Sequence, residues 1–190
     1  PELRRFAGLP LGGVKHRMNQ WSAAMGRAQL RHYDERMAEI QRAMNRFWDA
    51  LEGTQGLAAH RVDPGSGSTM GGWYFPVGLY RPDELGGLPI ARFCEAVTAE
   101  GVPTSPGANM PLHLHPVFRE ADVYGDGRPT AVALSGRDLR RRPGSLPVSE
   151  GVPERVFKVP WLKRDDPEAI ERCAAAFRKV AEQADELRQA

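Results

Sequence analysis

Two groups of polar residues in this sequence have types and spacings that could carry chemistry. The first is the basic run Lys15-His16-Arg17, which directly precedes a segment rich in alanine, serine and glycine. Small residues let two backbones approach closely, so a helix that begins here would hold the basic cluster rigidly at an edge. The second group contains Asn109, His113, His115 and Asp122, whose side chains could contact a small ligand or a metal ion.

The spacing of His113 and His115 leaves more than one function open. Pro111 and Pro116 flank the pair and favour a rigid extended segment, in which residues two apart point the same way. Such a pair can bind zinc, although a zinc site needs further ligands and supporting hydrogen bonds. Ordinary loop histidines are the alternative. The residues alone do not decide between the two.

Other catalytic arrangements find little support in the sequence. No nucleophile-elbow sequence is present, which argues against a serine hydrolase. The adjacent Asp165 and Asp166 stand at a predicted helix start, where carboxylates usually cap the helix. Cys94 and Cys173 fall on apolar faces of predicted helices, and two cysteines are too few for a disulfide scaffold, so we expect buried thiols.

Composition and charge narrow the possible partners. The chain has 190 residues, with 26 basic and 24 acidic side chains, and its net charge of +2 gives no electrostatic case for nucleic acid or an anionic membrane. The run from Arg137 to Arg142 is the only local candidate for a patch that binds such partners, and runs of this kind are usually solvated loops. No apolar run approaches the ~18 residues of a membrane span, and no signal peptide is evident. We therefore expect a cytoplasmic protein.

A long N-terminal amphipathic helix must position the basic run. The helical pattern begins near Met18 or Asn19 and continues to about Leu51, with a possible break near Gly26. Its apolar residues recur at steps of three and four, which places them on one face. They are Leu30, Tyr33, Met37, Ile40, Met44, Phe47, Trp48 and Leu51.

Short strands and further helices follow this helix. Strands are predicted at 58–62, at 73–80 with Pro76 as an edge or bulge, and at 156–159. Helices are predicted at 88–100 and from Pro167 onward, with Asp166 as the cap. Residues 126–154 read as a loop. These elements predict an α+β fold, in which the long helix packs with a small, mostly antiparallel sheet and flanking helices.

Several motifs, in order along the chain, resemble one known family. Arg17-Met18, Ala23-Ala24 and Gln29-Leu30 reproduce the spacing R-M-x-x-x-x-A-A-x-x-x-x-Q-L of the DegT/DnrJ/StrS family of pyridoxal-phosphate-dependent sugar and cyclitol aminotransferases. The resemblance continues through Glu35-Arg36-Met37 to the segments 111–116 and 156–160. It covers nearly the whole chain, but it matches only the C-terminal portion of that family.

The resemblance implies a function and a cofactor. It implies the C-terminal small domain of a fold-type-I aminotransferase, which transfers an amino group from glutamate or glutamine to a keto sugar or keto-cyclitol. In the family, pyridoxal phosphate is linked to a lysine in the large N-terminal domain. None of the lysines here, Lys15, Lys158, Lys163 and Lys179, stands in that context. The resemblance therefore assigns no catalytic residue to this chain and implies that the isolated portion is inactive.

The resemblance also assigns binding residues. In the family, the segment before R-M reaches the cofactor phosphate of the neighbouring subunit, which gives Lys15, His16 and Arg17 that role. His113 matches the histidine of the P-x-H-x-Q-P passage near the sugar pocket, and with His115 and Asn109 it is expected to contact substrate. The chain departs from the family at Lys15, where asparagine is common, and at His115, which replaces glutamine.

These expectations define two regions and leave other functions open. Residues 1–53 are predicted to form an N-terminal loop and the long helix, which would act as a domain linker or as the arm of a homodimer. Residues 54–190 are predicted to form the α+β small domain. The alternatives are a non-catalytic binding or dimerisation domain of the same fold, and a small histidine-based module for a metal or another ligand.

Overall fold

A computed structural model of the protein describes residues 17–125, 127–129, 132 and 135–189. Lys15 and His16, which the sequence marks as candidate phosphate contacts, lie outside the described residues. The described chain falls into two compact units, residues up to Ala38 and residues from Glu39 onward. No helix in the described ranges combines the length and the apolar character needed to cross a membrane.

The first unit contains helix α1 (Gln20–Leu30) and the start of helix α2 (Tyr33–Ala50). The side chain of Asn19 caps α1 by accepting a hydrogen bond from the Ser22 N–H at 2.8 Å. The predicted helix is divided at Arg31 and His32 and not near Gly26, which lies inside α1. A glycine lowers helix stability without breaking the helix, whereas the His32 N–H bonds to the Gln29 carbonyl three residues back and closes a turn.

The second unit contains a three-stranded antiparallel sheet, which confirms the mixed helix-and-sheet architecture. Its strands are β1 (Leu57–Ala59), β2 (Val77–Tyr80) and β3 (Val156–Lys158), in the order β1-β2-β3. Ala58 pairs with Leu79, and Gly78 pairs with Phe157.

Strand β2 begins later than its aromatic residues suggest. Trp73 and Phe75 have φ angles of 52° and 54°, a left-handed conformation that bulky residues rarely adopt. The prediction of a strand from Trp73 was therefore wrong at its start, and Pro76 marks the turn into the strand. The Pro76 carbonyl accepts from the Val159 N–H at 3.2 Å, so the proline supplies only an acceptor beside β3.

Helices cover the sheet and enclose an aromatic core. Phe157 of β3 lies 5.7 Å from Phe177 and 6.4 Å from Trp48 between ring centroids, and all three are buried. Gly78 permits this packing, because a Cβ there would lie 2.4 Å from the Phe157 ring and 2.6 Å from the Trp48 ring. The described helices after α2 are α3 (Ile90–Ala99), α4 (Pro116–Arg119), α5 (Pro147–Gly151), α6 (Pro167–Glu182) and α7 (Ala184–Gln189).

The start of α6 confirms the predicted cap. The Asp166 carboxylate accepts from the Ala169 N–H at 3.1 Å, and Pro167 occupies the first turn. Asp165 instead bonds to Arg46 at 2.8 Å, and this ion pair holds the pKa of its carboxyl below the usual value. The two carboxylates thus have separate structural partners and do not form a catalytic pair.

The two cysteines differ in burial. Cys94 is buried as predicted, and desolvation raises the pKa of its thiol to about 11. Cys173 is only half-buried, and desolvation also raises the pKa of its thiol. The high pKa of Cys94 keeps that thiol protonated and unreactive near neutral pH.

Candidate functional site

The segment with the candidate histidines is anchored along the outer edge of β3. The Lys158 N–H donates to the Ser105 carbonyl at 2.9 Å, and the Gly107 N–H donates to the Val156 carbonyl at 2.7 Å. A Cβ at Gly107 would lie 3.0 Å from backbone atoms of β3, so glycine allows the close approach. This edge fixes where the chain leaves the sheet toward residues 109–115.

The two histidines do not lie on an extended strand. Leu112–Leu114 forms a 3-10 turn, in which the Leu114 N–H bonds to the Pro111 carbonyl at 2.9 Å. The prediction of a rigid extended segment was therefore wrong. Because a 3-10 turn does not place residues two apart on the same side, His113 and His115 acquire different partners.

His113 faces the carboxylate of Glu150. Its Nε2 atom lies 2.9 Å from the Oε1 atom of Glu150, and the two side chains are 11% and 19% exposed. Glu150 belongs to α5, which lies in the stretch 126–154 that the sequence predicts as a loop. The structure thus joins the histidine motif to a helix that follows 37 residues later.

Glu150 also organises the backbone before α5. Its Oε2 atom accepts from the Gly144 N–H at 2.6 Å, and its Oε1 atom accepts from the Leu146 N–H at 3.0 Å. These two backbone hydrogen bonds hold the pKa of the Glu150 carboxyl below its usual value, and the contact with His113 makes a smaller contribution in the same direction. The carboxylate is therefore ionised near neutral pH.

His115 serves a local structural role. Its Nδ1 atom accepts from the Val117 N–H at 3.2 Å, which caps the single turn of α4. Its ring contacts Phe118 edge to face, with centroids 6.2 Å apart. Asn109 is exposed and precedes the 3-10 turn. Of the three expected substrate contacts, His113 is the one that the described structure pairs with a partly buried carboxylate.

Arg17 is exposed, and its proposed neighbours Lys15 and His16 lie outside the described residues. The phosphate contact that the resemblance assigns to these three residues therefore stays a prediction. The position of Arg17 alone does not test this phosphate contact.

The three described lysines contact other side chains of the protein, which bears on whether one of them could link to a cofactor. Lys158 lies over the Phe75 ring at 5.2 Å, and Lys163 lies over the Trp161 ring at 4.0 Å. Lys179 pairs with Glu100 at 2.8 Å. All three are exposed, whereas a lysine that holds pyridoxal phosphate needs a shielded site. The described residues therefore do not fit the whole cofactor, and they could contribute at most a cationic contact at its edge.

The basic run from Arg137 to Arg142 makes hydrogen bonds within the protein. Arg140 bonds to Asp138 at 2.7 Å, and this hydrogen bonding lowers the pKa of the Asp138 carboxyl to about 2. Arg140 also donates to the Arg119 carbonyl at 2.8 Å, so part of the basic run is used within the protein. Across the described ranges, no group of three or more His, Cys, Asp or Glu side chains is arranged to hold a metal ion.

Comparison with known proteins defines the class. The sequence model of the DegT/DnrJ/EryC1/StrS aminotransferase family matches residues 3–178. This chain therefore belongs to that family, as its motifs indicate.

Two relatives give the match more detail. L-glutamine:2-deoxy-scyllo-inosose aminotransferase from Streptoalloteichus tenebrarius is 34% identical over 113 residues, which cover 58% of this chain and 26% of that protein. The structure of the aminotransferase from Psychrobacter cryohalolentis superposes with a TM-score of 0.68 at 20% identity. That likeness, which supports the fold alone, covers 93% of this chain and 42% of the other. The chain thus spans about a quarter of the first relative and less than half of the second.

Sequence reasoning missed Glu150. A signal for its local role was nevertheless present, because Pro147 predicts a helix start and a glutamate in the first turn often bonds back to the N–H of the preceding residue. The observed bond from the Leu146 N–H is similar, although Glu150 stands four positions after the cap residue Leu146 and not three. The contact with His113 had no such signal, because it joins two elements that are 37 positions apart in the sequence.

Proposed function

We propose that this chain is the C-terminal portion of a pyridoxal-phosphate-dependent aminotransferase that acts on a keto sugar or keto-cyclitol, with glutamine or glutamate as the amino donor. The family match over residues 3–178 carries the proposal. The relative from Streptoalloteichus tenebrarius, whose name specifies L-glutamine and 2-deoxy-scyllo-inosose, supports a cyclitol substrate. Pyridoxal phosphate, when bound, would supply the chemistry of amino-group transfer between the donor and the keto substrate.

Each part of the chain has its own task in this proposal. Arg17, with Lys15 and His16, places positive charge beside the cofactor phosphate of a neighbouring subunit, where charge-assisted hydrogen bonds favour binding. His113 contacts the substrate, and His115 and Asn109 border the same pocket. The cofactor lysine comes from a region outside these residues, since the three described lysines are exposed and occupied by other contacts.

A homodimer is part of the proposal, because the phosphate contact crosses between subunits. Support comes from α1, which has no buried residue and carries exposed apolar side chains such as Trp21, which is 84% exposed. Met25 and Leu30 of α1 are also exposed, and larger apolar patches on a protein surface mark interaction sites. The same observation favours the second candidate function, a non-catalytic dimerisation or binding domain of this fold.

One experiment separates the two functions. The natural polypeptide that carries these residues is purified with pyridoxal phosphate and assayed with L-glutamine and 2-deoxy-scyllo-inosose. Amino transfer and a bound cofactor would support the aminotransferase. A natural polypeptide that dimerises but neither binds pyridoxal phosphate nor transfers an amino group would refute the enzyme and support the assembly domain.

A matched pair of variants tests the phosphate contact. We expect Arg17→Ala to weaken pyridoxal phosphate binding about tenfold, the loss of roughly one charge-assisted hydrogen bond. Arg27→Ala removes another arginine in the last turn of α1 and is the control. Equal cofactor affinity of the two variants, measured by equilibrium titration, would remove Arg17 from the phosphate site.

A further inference from the structure

The hydrogen-bond donors around Glu150 determine what its carboxylate can do. Two backbone N–H groups, from Gly144 and Leu146, point at its two oxygens at 2.6 and 3.0 Å. Backbone N–H groups can only donate, and an ionised carboxylate can only accept. This arrangement favours the ionised form, in agreement with the lowered pKa of the Glu150 carboxyl.

The carboxylate in turn determines the protonation of His113. Because Oε1 of Glu150 accepts, the Nε2 atom of His113 at 2.9 Å must carry a hydrogen and donate it. In a neutral imidazole, the other nitrogen, Nδ1, then has a free lone pair. The tautomer follows from the hydrogen-bond network, as histidine tautomers are normally assigned.

The surroundings hold the ring in this orientation. The His113 side chain is only 11% exposed and sits on the 3-10 turn Leu112–Leu114, while Glu150 is fixed by its bonds to the loop before α5. Within the described ranges, Nδ1 of His113 makes no hydrogen bond, whereas Nδ1 of His115 is occupied by the Val117 N–H. Of these two histidines, only His113 thus keeps an acceptor nitrogen free for a ligand, because a neutral His115 whose Nδ1 accepts can use its Nε2 only as a donor.

We propose that Glu150 is a positioning residue, which fixes His113 with Nε2–H on the carboxylate and Nδ1 as an acceptor for a hydroxyl group of the substrate. The identity of the substrate, a polyhydroxylated keto compound, rests on the proposed function. The tautomer of His113 does not, because it follows from contacts within this chain. The competing explanation is that Glu150 only holds the loop at 144–146 and has no influence on the imidazole.

Nitrogen-15 NMR of the histidine-labelled chain at pH 8 tests the tautomer. We expect His113, assigned by its loss in His113→Gln, to show a protonated Nε2 with an observable N–H proton and an unprotonated Nδ1. A proton on Nδ1, alone or together with one on Nε2, would overturn the proposal.

Variants of Glu150 separate positioning from loop support. Glu150→Ala should abolish the Nε2 proton signal, since the N–H would exchange with water, and Glu150→Gln should retain it, since the amide oxygen still accepts. Glu154→Gln, an exposed neighbour, is the control. An Nε2 proton signal that persists in Glu150→Ala would show that the carboxylate does not position the ring. If Glu150→Ala does not fold, the proposal is tested by the wild-type tautomer of His113 and by its Nε2 proton signal in Glu150→Gln.

Kinetics of the natural polypeptide test the hydroxyl contact. With 2-deoxy-scyllo-inosose as substrate, Glu150→Ala should raise KM about tenfold with kcat changed less than about twofold, because one ground-state hydrogen bond is weakened. Glu150→Gln should restore KM to within about threefold of wild type. A fall in kcat at constant KM would overturn the contact. Absence of amino transfer in the wild type would instead refute the proposed function and leave the tautomer result standing.

Discussion

The aromatic core around Phe157 and the polar contact between His113 and Glu150 are held together in different ways. Phe157 packs against several rings in edge-to-face and tilted arrangements, and no single contact dominates. The His113–Glu150 contact depends on hydrogen bonds whose donors and acceptors must stand at defined atoms. Packing is tolerant of small changes in geometry, whereas a hydrogen bond loses its value when a partner is misplaced.

Global stability and ligand binding therefore depend on different parts of the second unit. The core joins α2, α6 and the sheet, so its loss affects the whole unit. The polar contact joins the 3-10 turn Leu112–Leu114 to the short helix α5, so its loss should change local order and ligand binding more than global stability.

The largest effect is expected from Phe157→Ala. Removal of this fully buried ring should lower the free energy of unfolding by about 3–5 kcal/mol, because a cavity replaces the ring. Chemical denaturation with urea measures the change. Tyr74→Ala removes an aromatic residue that is 91% exposed and serves as the control, with an expected loss below about 0.5 kcal/mol. Similar losses in the two variants would contradict the view that Phe157 centres the core.

The fold was predictable wherever a periodic or capping signal was strong. Asp166 and Pro167 define the start of α6, and the three- and four-residue steps of α2 identify the face that contains Phe47 and Trp48. The start of β2 was not predictable, since the strand preference of Trp73 is overridden by a tight turn in which its indole N–H bonds to the Gln41 side chain at 2.9 Å. The same preference placed the strand too early.

The candidate site was less predictable than the fold. The sequence identified His113, but the pairing with Glu150 spans 37 positions and depends on a 3-10 turn at 112–114. Local propensities carry no information about such a long-range polar contact. The two-residue spacing of His113 and His115 was also misleading, because residues two apart point to the same side only on a strand.

An intermediate effect is expected from pH. The folded-state pKa of Glu150 lies below its ordinary value of 4.5, so its ionised form stabilises the fold above that pH. This contribution is lost as the pH falls below 4.5 through the folded pKa. Glu150→Gln cannot ionise, so the difference in Tm between wild type and variant should be constant above about pH 5.5 and shrink below pH 4.5. Thermal melts from pH 6 to 3 measure it. A difference that does not change over this range would mean that the carboxylate charge is unimportant.

The smallest effect is expected from His115→Ala, and it sharpens the contrast between the two histidines. His115 caps only the four residues of α4 through one bond of 3.2 Å, so its loss should cost about 0.5 kcal/mol. His60→Ala, at an exposed histidine, is the control for urea denaturation. If His115 borders the substrate, KM for 2-deoxy-scyllo-inosose should rise although stability hardly changes. If KM also stays constant, His115 is only a helix cap, and substrate recognition in this motif rests on His113 with its carboxylate partner.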